Sequence, residues 1–393
     1  MKRDLRAGLA VTAVDASAGG VLSPVLSLVL LGRDVSLAQL PLALAVFSGV
    51  AVALEVPSGM LADRIGRKRT FVAAQAVYAL AMLLLLFGRG MAMACAALAV
   101  NGVARALASG SLDALVVDAC LLEQGEAGLA GITARQGACK SAGLAVGALL
   151  GGVLNGFGGI EAALLCAVAL TVLALLGAAA CTRETGGRPA ERPSLRSQLR
   201  TVAEACRESR RLPVLLASTA LCGVLMMLVE TYWQPRFTAL LPADSLLWLL
   251  GLLGFGYFAA SIFGSLAAER AVKRLGVNRI FLLGYALSAV CLLALSAVRT
   301  PAGFSALYLM LYLLMGAADT AQGIAIHRAT PSAVRATVLS GQGLTLQLGV
   351  LSASGAAGLT AGRLSIPALW QLGAVIFLLG IAAVALLLKK AAR

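Results

Sequence analysis

The stretch that most limits the possible folds runs from Glu55 to Thr70: Glu-Val-Pro-Ser-Gly-Met-Leu-Ala-Asp-Arg-Ile-Gly-Arg-Lys-Arg-Thr. It closes one long apolar run, passes Gly59 into a short, very basic turn, and opens a second apolar run at Thr70. Two membrane-spanning helices joined by a tight hairpin produce that pattern, with the cations holding the turn on the cytoplasmic side. Apolar runs of about twenty residues or more recur along the chain, long enough to cross a bilayer as helices. Such a chain must satisfy its backbone within helices or a closed barrel. Barrel strands alternate over short segments, whereas these runs are continuous. With 60% hydrophobic residues, 13% charged and a mean hydropathy of +0.91, the 393 residues do not divide into soluble domains.

A net charge of +14 would suggest nucleic acid in a soluble protein. Here the cations cluster in alternate connections. With the N-terminus inside, 24 Lys and Arg fall on one side, and the opposite connections hold only Arg33, Arg89, Arg236, Arg299 and Arg363. That asymmetry predicts a multi-pass protein with both termini in the cytoplasm and no nucleic-acid partner. The eight cysteines form no CxxC pair and His327 is the only histidine, so neither a disulfide framework nor a metal site is expected. Without a nucleophile–base pair, no enzyme and no cofactor is expected either.

Residues 1–18 imitate a secretory signal, with Lys2, Arg3 and a possible cleavage site at Ala16-Ser17-Ala18. The apolar run continues to Leu31, which predicts an uncleaved first helix. Six spans are expected near 7–31, 36–60, 68–88, 91–120, 128–155 and 159–181, forming an N-terminal bundle over 1–181. A polar linker at 182–211 holds Pro189, Pro193 and eight arginines, and its part from Ser194 to Arg210 reads as an amphipathic helix on the membrane surface. Six more spans, near 212–239, 245–268, 278–298, 302–327, 334–361 and 366–388, form a C-terminal bundle over 212–393. Between the eighth and ninth spans, Ser265-Leu-Ala-Ala-Glu269-Arg270 with Lys273 and Arg274 echoes the opening motif, 206 residues after Gly59.

The form Gly59-x3-Asp63-Arg64-x-Gly66-Arg67-Lys68 resembles the signature between helices 2 and 3 of the major facilitator superfamily of transporters. The resemblance implies an all-α fold of twelve helices in two pseudo-symmetric bundles, working by alternating access. It also implies that Asp63 meets the start of helix 11 near Val334, and that Arg67 pairs with Asp118 at the end of helix 4. An acid at a helix C-terminus opposes the dipole unless a cation compensates it, which supports the second pairing. Gly59, Asp63, Arg64, Gly66, Arg67, Lys68 and Asp118 are therefore expected to form a gating latch; the alternative is a purely topogenic basic loop.

Helix 4 carries Arg105 thirteen residues before Asp118, about 20 Å deeper, where a charge normally faces a cavity or a partner. The segment Asn101 to Ser111 resembles the helix 4 motif of the superfamily, whose arginine is implicated in proton coupling. Asp15 in helix 1 lies at similar depth and is the expected counter-charge. Glu55, beside Pro57, fits either proton exchange or bracing of the hairpin. The run Glu55-Val-Pro-Ser-Gly-x2-Ala-Asp63 resembles a branch of bacterial drug/proton antiporter-like carriers. Asp113 is a further proton-exchange candidate, with Arg135 or Lys140 opposite. In helix 5, Gly143, Gly147, Gly151 and Gly152 resemble the antiporter glycine motif, with Ala148 where that motif has proline; glycines at this spacing also form a close-packing groove.

In the second half, Glu230 with Tyr232 and Trp233 suits either a cationic ligand or an interfacial aromatic belt. Asp319, Gln322, Gln342 and Gln347 are further candidates to line a substrate cavity. The resulting expectation is proton-driven efflux of amphipathic drug-like or secondary-metabolite molecules across a bacterial inner membrane. The alternative is proton-coupled transport of one defined metabolite such as a siderophore. The expected partners are the small-molecule substrate, protons and the lipid bilayer, around a monomer.

Overall fold

The computed structural model describes residues 3–109, 111–182, 195–331, 334–360 and 363–391. The first part comprises α1 (Arg3–Leu22), α2 (Leu26–Gly32), α3 (Leu40–Ile65), α4 (Arg67–Phe87), α5 (Gly90–Ala108), α6 (Ser111–Gln124) and α7 (Leu129–Cys181). After α8 (Leu195–Glu208) come α9 (Leu212–Thr238), α10 (Leu249–Leu275), α11 (Val277–Ala297), α12 (Pro301–Ala329), α13 (Arg335–Thr360) and α14 (Ile366–Lys390).

Several helices differ from single straight spans. The first span is broken around Pro24 into α1 and α2, since proline has no N–H for the helical ladder. The fourth is divided between α5 and α6. Helix α7 has 53 residues, about 80 Å if straight, far more than a bilayer's hydrocarbon core. Gly159, at φ 73°, breaks it into the fifth and sixth spans, a conformation that glycine adopts without a Cβ clash. Among the described residues twelve membrane segments result, six before α8 and six after it. Among the described residues, nine helical stretches are apolar and long enough to cross a membrane by length and composition. In α3 an apolar helical stretch runs over Leu40–Glu55.

The hairpins between α3 and α4 and between α10 and α11 share one device. Gly66 (φ 99°, ψ 148°) and Gly276 (φ 87°, ψ 153°) both hold the left-handed-side turn that ends one helix and starts the next. They stand 210 residues apart, and α4 and α11 begin and end at that same offset. The echo expected at 206 residues is thus out of register by one helical turn. Lys273 aligns with Asp63, and Glu269 instead makes an exposed pair with Lys273 one turn along its own helix, at 2.7 Å.

By internal contacts the chain forms two compact units, Met1–Arg192 with Pro242–Phe255, and Pro193–Leu241 with Gly256–Arg393. Within the first, apolar clusters occupy both ends. Leu5, Leu9, Phe71, Leu112, Val116 and Ile132 pack at one end. Val21, Val29, Met82, Leu85, Leu98 and Leu164 pack at the other. Between the clusters, α1 carries Asp15 and α4 carries Gln75. In the second unit, α8 turns its apolar side onto α13: Ala205 is 3% exposed, and a Cβ added at Gly341 would meet the Val202 side chain at 2.9 Å. The face expected to lie on the membrane surface is therefore used for packing against another helix.

Candidate functional site

Between the two apolar clusters of the first unit lies a cavity of about 150 Å³. Its polar lining is Asp15 of α1, Gln75 and Tyr78 of α4, Asn101 and Arg105 of α5, and Lys140 of α7. Small residues open it: Ala16, Gly19, Ala74, Ala104 and Ala108 leave the space that larger side chains would fill. Asp15 does not ion-pair with Arg105. Its Oδ1 accepts a hydrogen bond from Gln75 Nε2 at 2.6 Å, and Gln75 is buried, with its Oε1 unpartnered. Arg105 is exposed on the same cavity, without an ion-pair partner among the described residues. The expected couple is thus two separate groups in one chamber, because a neutral amide on α4 reaches the carboxylate.

Asp113 stands near the cavity. It accepts from Gln136 Nε2 at 3.0 Å and lies 3.6 Å from Lys140 Nζ, one of its two expected counter-charges. Glu55 is on the exposed side of α3, where its Oε1 accepts from Ser109 Oγ at 2.7 Å. It ties α3 to the end of α5, and not α3 to α4 across the hairpin.

The basic motif divides its work. Arg67 and Asp118 form the expected ion pair, with each side chain 22% exposed. Lys68 Nζ donates to the carbonyls of Ala179 and Thr182, both at 2.7 Å, and so caps the C-terminus of α7. Gly66 makes the turn, Gly59 is buried, and Arg64 is exposed. The Asp63 side chain, and with it the contact expected at the start of helix 11, lies outside the described residues.

The helix 5 glycines build a seam. Gly143, Gly147 and Gly151 of α7 face the backbone carbonyls of Ala13, Ser17 and Val21 on α1, while Gly20 of α1 meets the Leu144 carbonyl. Four-residue spacing on both helices keeps the seam in register over two turns. Gly152 points elsewhere, toward Gly251 in the segment that belongs to the same unit.

In the second unit, Tyr232 and Trp233 are 1% and 0% exposed. Trp233 packs on Tyr308 at 4.8 Å between ring centroids, and Tyr308 on Tyr312 at 4.9 Å. These aromatics fill the core and do not form an open ligand wall, which corrects the cation–π expectation. Glu230 accepts a hydrogen bond from Tyr312 inside this cluster. Asp319 and Gln322 join one network: Tyr285 Oη lies 2.5 Å from Asp319 Oδ1 and 2.9 Å from Gln322 Oε1, and Gln322 Nε2 donates to Ser218 Oγ at 2.7 Å. Gln342 and Gln347 are half-buried on α13. Gln75, Tyr78, Asn101, Tyr285 and Ser218 were missed from the sequence; each is a polar residue inside an apolar run, and that was the available signal.

The sequence pattern of the Major Facilitator Superfamily matches residues 8–248. The chain belongs to the Major Facilitator Superfamily. Solved structures agree at the level of fold. The nucleoside transporter NupG is similar with a TM-score of 0.82 at 14% identity, covering 99% of this chain and 100% of that one. An auto-inhibited POT family peptide transporter gives 0.78 at 16%, with 99% and 97% covered. A bacterial homolog of the human lysosomal transporter Spinster, in an inward-facing conformation, gives 0.71 at 16%, with 98% and 96% covered. No curated protein sequence matches the chain. As a Major Facilitator Superfamily protein it is a multi-pass membrane transporter of the secondary type.

Proposed function

We propose that this Major Facilitator Superfamily protein is a proton-coupled antiporter that exports small amphipathic molecules, drug-like compounds or secondary metabolites, from a bacterial cytoplasm. The observation that carries the reading is the arrangement of Asp15, Gln75 and Arg105 around one cavity. An acid locked to an arginine could take up a proton only by breaking that pair. Asp15 is held by a neutral amide instead, whose free Oε1 can accept a hydrogen bond from the carboxyl once it is protonated. Both protonation states then have a partner, and Arg105 stays available for a polar or anionic group of the substrate. The glycine seam of α7 supports antiport by its resemblance to the antiporter motif. The Arg67–Asp118 pair supports a latch that steadies one access state. The topology that accompanies this reading is a monomer with both termini in the cytoplasm.

Proteoliposomes loaded with a panel of dyes and metabolites, with and without a pH gradient, test the proposal. Wild-type protein should accumulate substrate only when the gradient is present. Asp15→Asn should still exchange substrate downhill but ignore the gradient, and Arg105→Gln should weaken substrate binding. Full uphill transport by Asp15→Asn would refute the coupling role. The second reading, one defined metabolite, is favoured by the small size of the 150 Å³ cavity. Transport of a single panel member would establish it over broad efflux.

A further inference from the structure

The second unit contains another cavity, about 500 Å³, where α9 and α11 begin and α12 ends. Arg211, Arg279 and Arg328 line it, together with Ser209 and Asn278. No acid among the described residues does so, and none of the three arginines has an ion-pair partner among them. Helices α9 and α11 run for 27 and 21 residues, and neither first turn has a side-chain cap. The start of α11, without a side-chain cap, therefore sits in the wall of a cavity that carries three guanidinium groups, whereas the first turn of α9 adds few donors, because Leu212 N–H is bonded to the Ser209 carbonyl and Pro213 has no N–H. Leu215 and Leu388 supply an apolar side.

The first unit shows what is missing here. The offset of 210 residues that relates Gly66 to Gly276 takes Arg69 onto Arg279 and Asp118 onto Arg328. In the first unit Asp118 closes the helix start by pairing with Arg67, whose counterpart at this offset is Val277. In the second, the acid's position holds another arginine, so the site has no internal anion.

We propose that this pocket binds a phosphate group, held by Arg211 and Arg279 at the starts of α9 and α11 and by Arg328 at the end of α12, with an adjoining apolar portion against Leu215 and Leu388. Guanidinium groups match phosphate oxygens in bidentate geometry, and the start of α11 adds N–H donors of the right sign. Two sources carry this chemistry: the headgroup of an anionic phospholipid, for which basic pockets between transmembrane helices are suited, and a soluble phosphate compound. The site is separate from the cavity of the first unit and does not depend on the direction or substrate of transport.

The test uses the full-length protein, stripped of lipid in a neutral detergent. Its probes are phosphatidylglycerol, phosphatidylcholine and inorganic phosphate, with bound ligand read by native mass spectrometry. Phosphatidylglycerol should bind more tightly than phosphatidylcholine. Arg279→Gln and Arg328→Gln should each weaken that binding about tenfold, the loss of one charge-assisted hydrogen bond. Arg328→Asp, which restores the first unit's acid, should abolish it. Arg328→Lys keeps the charge without the bidentate fork and should bind better than Arg328→Gln but less well than the wild type, so it reports on the site where a neutral variant folds poorly. Arg270→Gln, outside the cavity, should change nothing. Binding of inorganic phosphate with the same sensitivity to variants, and no distinction between the two lipids, would also support the pocket and identify the soluble source. Binding of phosphatidylglycerol and phosphate that is indifferent to all the pocket variants would overturn the proposal.

Discussion

A single methyl group added to α7 should have opposite effects at two positions ten residues apart. At Gly147 a Cβ would be driven into the carbonyl of Ser17 on α1, which is backbone and cannot rotate away. At Gly137 of the same helix, nothing lies within 4 Å of the added carbon. Overpacking of this kind costs about 1–3 kcal/mol, and replacing glycine with alanine inside a helix returns up to about 1 kcal/mol. Gly143 and Gly151 press on Ala13 and Val21 in the same way, so α7 cannot shift at the middle contact without disturbing its neighbours. The cost at Gly147 should therefore fall toward the upper end. Gly147→Ala should lose about 2 kcal/mol net, and Gly137→Ala should be neutral or gain up to about 1 kcal/mol. Unfolding of the purified variants by sodium dodecyl sulfate in mixed micelles, followed by circular dichroism, measures both. Equal stability of Gly147→Ala and the wild type, or equal damage from Gly137→Ala, would refute the seam.

Three further outcomes are expected. Arg67→Ala and Asp118→Ala should be non-additive in a double-mutant cycle by about 1–3 kcal/mol, between the values for exposed and buried pairs; coupling near zero would reduce the pair to a surface contact. Gly66→Ala and Gly276→Ala should each destabilise by about 1–3 kcal/mol, because both force a side chain into the positive-φ region, and a thermal unfolding series reads the two losses side by side. Tyr312→Phe should strand the Glu230 carboxylate and cost about 1–3 kcal/mol; adding Glu230→Leu should recover stability, and failure to recover it would show that the hydroxyl contributes elsewhere.

The legible parts of this fold were those written as local runs. Apolar segments, basic connections and the glycine hairpin at Gly66 all follow from short stretches of chain, and they place each membrane segment, though not each helix end: the eighth span is expected to stop at 268 and α10 runs to Leu275. Two pairs across helices were also readable. Arg67 and Asp118 lie on a recognisable motif, and Lys140 beside Asp113 are rare charges at matching depth. The partner of Asp15 was not readable, because its identity depends on which faces of α1, α4 and α5 converge. A buried charge suggests an opposite charge as its partner, and the structure supplies an amide. The apolar side of α8 shows a similar ambiguity. An amphipathic pattern says that one face avoids water, and either lipid or another helix satisfies it; Val202 against Gly341 decides for α13. Tyr232 and Trp233 gave no sign of whether they faced a ligand or the core, since an aromatic run looks the same in either setting.

The break at Gly159 bears on how the protein is made. One residue in a positive-φ conformation is all that separates the two long arms of α7, and Glu161, two positions on, is tied to Arg33 at 3.0 Å. A connection that short has no room for a topogenic signal of its own, and neither arm can be delivered across a bilayer while the other waits in solution. The short connection favours insertion of the two arms together as one helical hairpin. A peptide tag inserted at Gly159 would therefore interfere with biogenesis itself, whereas the same tag beyond Lys390 would not.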